Sequence, residues 1–252
     1  MALRDWLTID DWLRPAMLVT WAVSAERVRP HVPPPLLLDT VPGPGGAPLA
    51  LLTVAAVLNV NMHPRLAPRL RLTFAQANYR TYVQPHAGGP TGVYFFGNFV
   101  SARLPWLPTW LMSPNVYYGS ARFAGRVPRT RGGTWQVRME LASPLGPTIL
   151  DASGPCEPGR ERLFWPDATQ GAHFLTHRLL GYYLDRRGGV GLLPVEHVEM
   201  QPWTGQVRQA VCGPWQHWGL LSAAEVAQPL SVLVDPSVRF RAYPPRRVPP
   251  RT

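Results

Sequence analysis

The chain has 252 residues and a formal net charge of +10, with hydrophobic residues at 46% and charged residues at only 16%. That composition supports a full core and excludes wholesale disorder. The 30 prolines and 22 glycines exclude a helical bundle, because proline removes a backbone donor and breaks helix interiors.

The first predicted strand is 16–23 (AMLVTWAV), rich in apolar and β-forming residues. Ser24 caps a short helix that runs to about His31, where Pro33, Pro34 and Pro35 stop it. A Gly/Pro loop over 41–48 precedes a strand over 49–60. The segment 70–83 (LRLTFAQANYRTYV) alternates: Gln76, Asn78, Arg80 and Tyr82 share one face, and Ala75, Ala77, Tyr79, Thr81 and Val83 the other. The turn His86-Ala87-Gly88-Gly89-Pro90 joins it to a strand over 92–100 (GVYFFGNFV), and the two pair as an antiparallel hairpin. The segment 104–112 (LPWLPTWLM) is a short helical or irregular packed piece. In it Trp106 and Trp110 pack in the core or at a subunit contact, with core the simpler reading. Strands follow over 116–126, 133–142 and 148–153. The best long helix is 168–184, with Phe174, Leu175, Arg178, Leu179 and Tyr182 at helical spacing and Gly188-Gly189 after it. Strands over 190–200 and 206–212 close the series. No linker or repeat divides the chain, so a single domain over 1–243 is expected, with a Pro/Arg-rich tail over 244–252.

All 25 basic residues are arginine. Without lysine neither a side-chain Schiff base nor a P-loop can form. The positive charge raises the question of nucleic acid. The arginines are scattered, however, and the run Arg239, Arg241, Arg246, Arg247, Arg251 is broken by prolines and reads as an exposed tail. Cys156 and Cys212 lack C-x-x-C spacing and read as two buried thiols. Arg4 and Asp5 leave no apolar leader, and the apolar run 49–60 is too short to span a bilayer, so a cytoplasmic location is expected. Dinucleotide-binding and nucleophile-elbow motifs are absent. His173 and His177 lie four apart, and Glu196, His197 or Glu199 could supply a third ligand, but the pair lacks the glutamate of zinc proteases and nothing in the sequence links these residues in space; surface or capping histidines are the plainer reading, and neither metal nor cofactor is assigned. Gln136, Arg138 and Glu140 read as a solvated sheet face with a cross-strand ion pair.

The stretch Phe74-Ala75-Gln76-Ala77-Asn78-Tyr79-Arg80-Thr81-Tyr82-Val83, followed by Gly92-Val93-Tyr94-Phe95-Phe96, resembles the YqjF-like DUF2071 family, whose pattern there is F-x-E-x-N-x-R-x-Y-V and then G-V-Y-F-F. Trp12 with the strand 17–23, the segment 117–123 (YYGSARF) and His173-Phe174-Leu175-Thr176 also match, in order, over about residues 5–210. That family is similar to the acetoacetate decarboxylase superfamily. The resemblance implies a mainly β (α+β) fold: a curved, mainly antiparallel β barrel or cone enclosing a central cavity, with a few short helices. In the decarboxylases a lysine forms the imine. Here the corresponding stretch, Tyr117-Tyr118-Gly119, carries no amine, and Gln76 stands where the family has glutamate, so neither the imine nor that carboxylate transfers.

What remains is the polar row Gln76, Asn78, Arg80 and Tyr82, with Tyr94, Asn98, Tyr118 and Arg122 as expected neighbours. Facing into a barrel, the row would suit a carboxylate or oxo group; otherwise it is scaffold that hydrogen-bonds loops. A buried Arg80 needs an acidic partner or an anionic ligand. Three functions stay open. The first is a small-molecule-binding cavity protein, as a monomer or a homo-oligomer, which as an enzyme would be a lyase or isomerase polarising a carbonyl. The second is a non-catalytic ligand sensor or structural module. The third is a charge-driven nucleic-acid binder.

Overall fold

The computed structural model describes residues 6–158 and 164–248, with the side chain of Trp110 outside the description. Strand β1 (Ile9–Ser24) leads into the short helix α1 (Ala25–Val28) and a 3-10 turn over Arg29–His31. The Ser24 hydroxyl accepts from the Glu26 N–H as the helix cap. The pieces β2 (Leu37–Leu38) and β3 (Val41–Pro42) precede two long strands, β4 (Pro48–Pro64) and β5 (Leu72–Gln84). Next come β6 (Gly92–Val100), helix α2 (Arg103–Met112), β7 (Val116–Tyr118), β8 (Ser120–Arg126), β9 (Thr134–Ala142) and β10 (Thr148–Pro155). Helix α3 (Ala168–Thr176), β11 (Leu180–Leu184), β12 (Val190–His197) and β13 (Trp203–Cys212) follow. The chain ends through α4 (Gly213–His217), α5 (Ala223–Val226), β14 (Ser231–Asp235), β15 (Val238–Ala242) and β16 (Arg246–Arg247).

The strands form one curved, mainly antiparallel sheet in the order β3-β4-β5-β6-β11-β12-β15-β1-β14-β13-β10-β9-β8. One further pairing defines the architecture. β1 pairs with β4 from Ile9↔Pro64 to Ser24↔Leu49, so β1, β4, β5, β6, β11, β12 and β15 close into a seven-stranded ring. β1 also forks: residues 9–13 pair with β15 and residues 16–20 with β14. The second branch continues through β13, β10, β9 and β8 as a wall outside the ring.

The two faces of β4 and β5 therefore see different surroundings. One face packs against the wall in the main core, with Trp21, Tyr79, Phe99, Trp135, Met139 and Trp215 essentially fully buried. Tyr79, Phe96, Trp215 and Trp218 meet edge-on or tilted at ring-centroid separations of 4.7 to 6.0 Å, the range aromatic pairs favour. The space between sheet and wall is filled by these side chains. The other face lines the ring.

The helix predicted over 168–184 stops at Thr176. Leu180–Leu184 instead pairs antiparallel with β12 and touches β6 in parallel. Gly188, expected to follow a helix, forms the β11–β12 hairpin turn at φ 77°. Leu179 and Tyr182 fit either period, and pairing with β12 decides between them. The strand expected over 116–126 breaks at Gly119, whose side-chain position is filled by the Ala142 carbonyl. Strands β14, β15 and β16 carry no prediction. The run expected as a tail contains β15 and β16: Arg241 bridges Asp10 and Glu196, and Arg247 reaches Asp185; residues 249–252 lie outside the described residues. Cys156 and Cys212 are buried and unpaired with each other. Arg138 forms ion pairs with Glu140 and, across the strands, with Asp151 on a half-exposed face.

Trp135 closes the core at the wall, its indole N–H donating to the Thr204 carbonyl at 3.1 Å. It packs against Gly205, where an added Cβ would clash with Trp135 Cζ2 and come 2.5 Å from the Ser153 carbonyl oxygen. Gly205→Val should lower unfolding stability by about 3 kcal/mol, measured by denaturant titration; a change below about 1 kcal/mol would show that the indole can move aside.

Candidate functional site: the lumen of the ring

Period two places Gln76, Asn78 and Arg80 on the face opposite Ala77 and Tyr79, away from the aromatic core. Cross-strand register extends that face to Thr53, Ala55 and Val57 on β4 and to Asn98 on β6. On the far side, His197, Phe240 and Asp11 stand directly opposite one another across β12, β15 and β1. The opposite face of β5, with Ala77 and Tyr79, belongs to the core shared with the wall, so the polar row is on the ring's inner face and lines the lumen.

Each end of the row is apolar. Under α3, Leu175 and Phe174 pack with Leu18, Leu51, Ala55, Tyr82 and Val93. Towards α2, Trp106 packs with Phe74, Val100 and Val116. Between them the amides form a directed network. The Gln76 amide nitrogen donates to Asn78 Oδ1 at 3.0 Å and to Asn98 Oδ1 at 2.9 Å, while its Oε1 accepts from Asn59 Nδ2 at 3.0 Å. Both asparagine oxygens are thereby used, and their half-buried NH₂ groups remain as donors.

Arg80 donates from one terminal nitrogen to the Leu175 carbonyl at 3.2 Å, and its Nε is buried without a partner. Among the described residues no carboxylate pairs with it. Neighbouring Arg178 differs: it is buried with Asp39 at 3.0 Å. Tyr82 shares the face of the row but its hydroxyl is committed. The Leu175 carbonyl can only accept, so Tyr82 donates to it at 3.0 Å, Thr53 donates to Tyr82 and Thr20 to Thr53. Tyr82 holds α3 in place.

Three of the expected neighbours lie elsewhere. A register shift between Tyr79 and Arg80 inserts an extra residue in β6, so Asn98 and Tyr94 fall on opposite faces although they are four apart. Tyr94 packs in the aromatic core, where burial pushes its hydroxyl up to about 12; Phe95 takes the lumen side, opposite Arg80 and over Gly181. Tyr118 shares the row's face through Val100 but is 40% exposed at the rim, beside Trp106 and Arg103. Arg122 is exposed on the outer wall, opposite Glu140.

Two lumen residues, Asp11 and Asn59, escaped the sequence reading, and His197, weighed there only as a third metal ligand, lines the lumen as well. Asp11 is 5% exposed and accepts from the Trp12 N–H at 2.7 Å; burial raises its pKa to about 7. His197 is held below its ordinary value by burial, then by the charges of His177 and Arg80. Asn59 joins the amide network. The only available signal was an isolated polar residue inside an apolar strand. His173 and His177 stack at 4.8 Å on and just after α3, and among the described residues no cluster of three or more ligand-type side chains could hold a metal.

A cleft of about 930 Å³ runs between α3 and strands β10, β13 and β14, and a shallower one of about 450 Å³ lies on the other flank of α3 beside His177 and Arg178. Neither contains Arg80. The unpaired cation, rather than volume, marks the site.

The closed ring with its attached wall is an acetoacetate decarboxylase-like fold. An acetoacetate decarboxylase-like enzyme from Sphingomonas wittichii RW1 superposes with a TM-score of 0.60 at 13% identity, covering 95% of this chain and 92% of that one. The enduracididine biosynthesis enzyme MppR, complexed with pyruvate, gives 0.58 at 15% identity over 95% and 89%. The acetoacetate decarboxylase of Legionella pneumophila subsp. pneumophila str. Philadelphia 1 gives 0.58 at 9% identity over 96% and 87%. At these identities the likeness is one of fold. The chain belongs to the DUF2071 family of uncharacterised conserved proteins, whose model matches residues 11–239. No curated protein matches the sequence.

Two predictions test this geometry. Arg80→Met should leave stability unchanged or raise it by about 1 kcal/mol, because a half-buried guanidinium whose Nε is buried without a partner is replaced by an apolar chain while Tyr82 still satisfies the Leu175 carbonyl; a loss of 2 kcal/mol or more, on the order of a broken buried network, would make Arg80 structural. For Asp11, the folded carboxyl holds its proton up to about pH 7 and the unfolded one only to about 3.9. The native state therefore binds more protons in that window, and stability falls as pH rises through it. The loss is on the order of 4 kcal/mol at about 1.4 per unit, and Asp11→Asn should remove that slope in denaturation curves taken between pH 4 and 8.

Proposed function

We propose that this chain binds a small anion bearing a carboxylate or oxo group inside the ring, with Arg80 as its anchor. The unpaired Arg80 guanidinium carries the reading. Arg80 is half-buried with its Nε fully buried and unpartnered; such a group is stabilised by a carboxylate, and since no carboxylate among the described residues pairs with it, a ligand is the source this reading assigns. The lining supports it. Because Gln76 occupies both asparagine oxygens, Asn78 and Asn98 present donors alone, and a lumen of donors around one cation complements an acceptor-rich anion. MppR, of the same fold, is complexed with pyruvate, a molecule of this class.

No lysine is present, so an imine on a side chain is not part of the reading. As an enzyme, the protein would polarise a carbonyl with the arginine and asparagine donors, in a lyase or isomerase reaction. The neutral amides Asn59, Gln76, Asn78 and Asn98 favour a second reading, a sensor that binds the same anion without transforming it. No helix among the described residues is long and apolar enough to cross a membrane.

Isothermal titration with pyruvate tests the proposal. Wild type should bind with a Kd in the micromolar to millimolar range, an order-of-magnitude figure for so small a ligand, and Arg80→Met should lose binding. Borohydride treatment in the presence of pyruvate should modify no side chain. Equal binding by wild type and Arg80→Met would remove the anchor, and a side-chain adduct would overturn the amine-free reading.

A further inference from the structure

Three histidines form a row from the surface into the lumen. His173 is half-exposed on α3 and paired with Glu199 at 2.7 Å. Its ring lies 4.8 Å from that of His177, which lies 5.1 Å from that of His197. His197 in turn stacks on Phe240. His177 Nδ1 is buried with no hydrogen-bond partner. His197 Nδ1 lies 2.8 Å from the Val198 carbonyl, which can only accept, so that nitrogen carries the hydrogen in the neutral ring. Nε2 is left as the position where a proton would be added.

We propose that occupancy of Arg80 is coupled to proton uptake: an anion settling on the guanidinium brings a proton onto the His177–His197 pair. This rests on the anion-binding reading. With the lumen empty, a positive His197 would face the positive Arg80 from β5 and His177 from the end of α3, opposed by Asp235 on β14 and, one residue beyond Phe240 in the same cross-strand row, by the largely protonated Asp11 on β1. An anion neutralises Arg80 and so favours the charged imidazole, removing one of the two repulsions on His197 while that of His177 remains. The row reaches solvent at His173, so the proton enters without the ring opening. The step moves one proton from solvent to His197 Nε2 and breaks no covalent bond. By linkage the anion then binds more tightly as pH falls, by at most about tenfold per pH unit across the histidine range for one proton taken up.

Two measurements separate this coupling from the anion reading itself. The first is titration of pyruvate at about pH 6.5 in buffers of different ionisation enthalpy, where uptake of between about 0.3 and 1 proton per site is expected for a histidine near its midpoint. Binding without proton uptake would overturn the coupling and leave the anion site standing; no binding at all would overturn both. The second needs no ligand: histidine C2–H resonances followed with pH by NMR. In Arg80→Met the His197 midpoint should rise towards the ordinary histidine value, and an unchanged midpoint would overturn the coupling whatever pyruvate does. His197→Gln should abolish the proton uptake.

Discussion

The pairing of β1 with β4 is the constraint on which the rest depends. It turns a long curved sheet into a closed ring and gives two adjacent strands a second inner face. A strand side chain has two directions available. In an open sheet one of these faces solvent, and a row of amides and an arginine there would be a solvated surface. Closure places the row inside, where desolvation makes every unpaired polar atom costly and the partnering of each one informative.

That sorting explains why residues next to each other in sequence have unrelated roles. Tyr79 is fully buried among aromatic rings and its hydroxyl meets Thr148 on the wall. Arg80, one residue later, faces a lumen of amides and histidines. The two apolar ends of the lumen, under α3 and beside α2, hold the polar middle away from bulk water, and there the field of a single guanidinium reaches further than it would at a surface.

Much of the fold was readable from the sequence because it is written in local patterns. The alternation through Gln76, Asn78 and Arg80, the turn at Gly88-Gly89 and the answering strand gave the central hairpin. The resemblance carried by those same residues implied the decarboxylase-like fold. What escaped depends on partners distant in sequence. Leu180–Leu184 reads as helix until β12 is beside it. Tyr94 reads as a neighbour of Asn98 until the extra residue in β6 is known, since one inserted residue exchanges the two faces. Asp11 has nothing nearby in sequence to mark it, and His197 stood out only as a conceivable metal ligand. They become site residues only because β15 brings their rows into line.

The fork in β1 has a consequence for how such a molecule can change over time. Its early residues support the ring through β15 and its later ones hold the wall through β14, so ring closure and wall attachment rest on separate hydrogen-bond ladders. Along β4 and β5 the two linings are opposite faces of the same strands, so a side chain on one face can change without altering the pairing beneath the other. A lineage can therefore exchange the groups inside the ring, carboxylate for amide or amine for nothing, while its scaffold persists as a shell open to new chemistry.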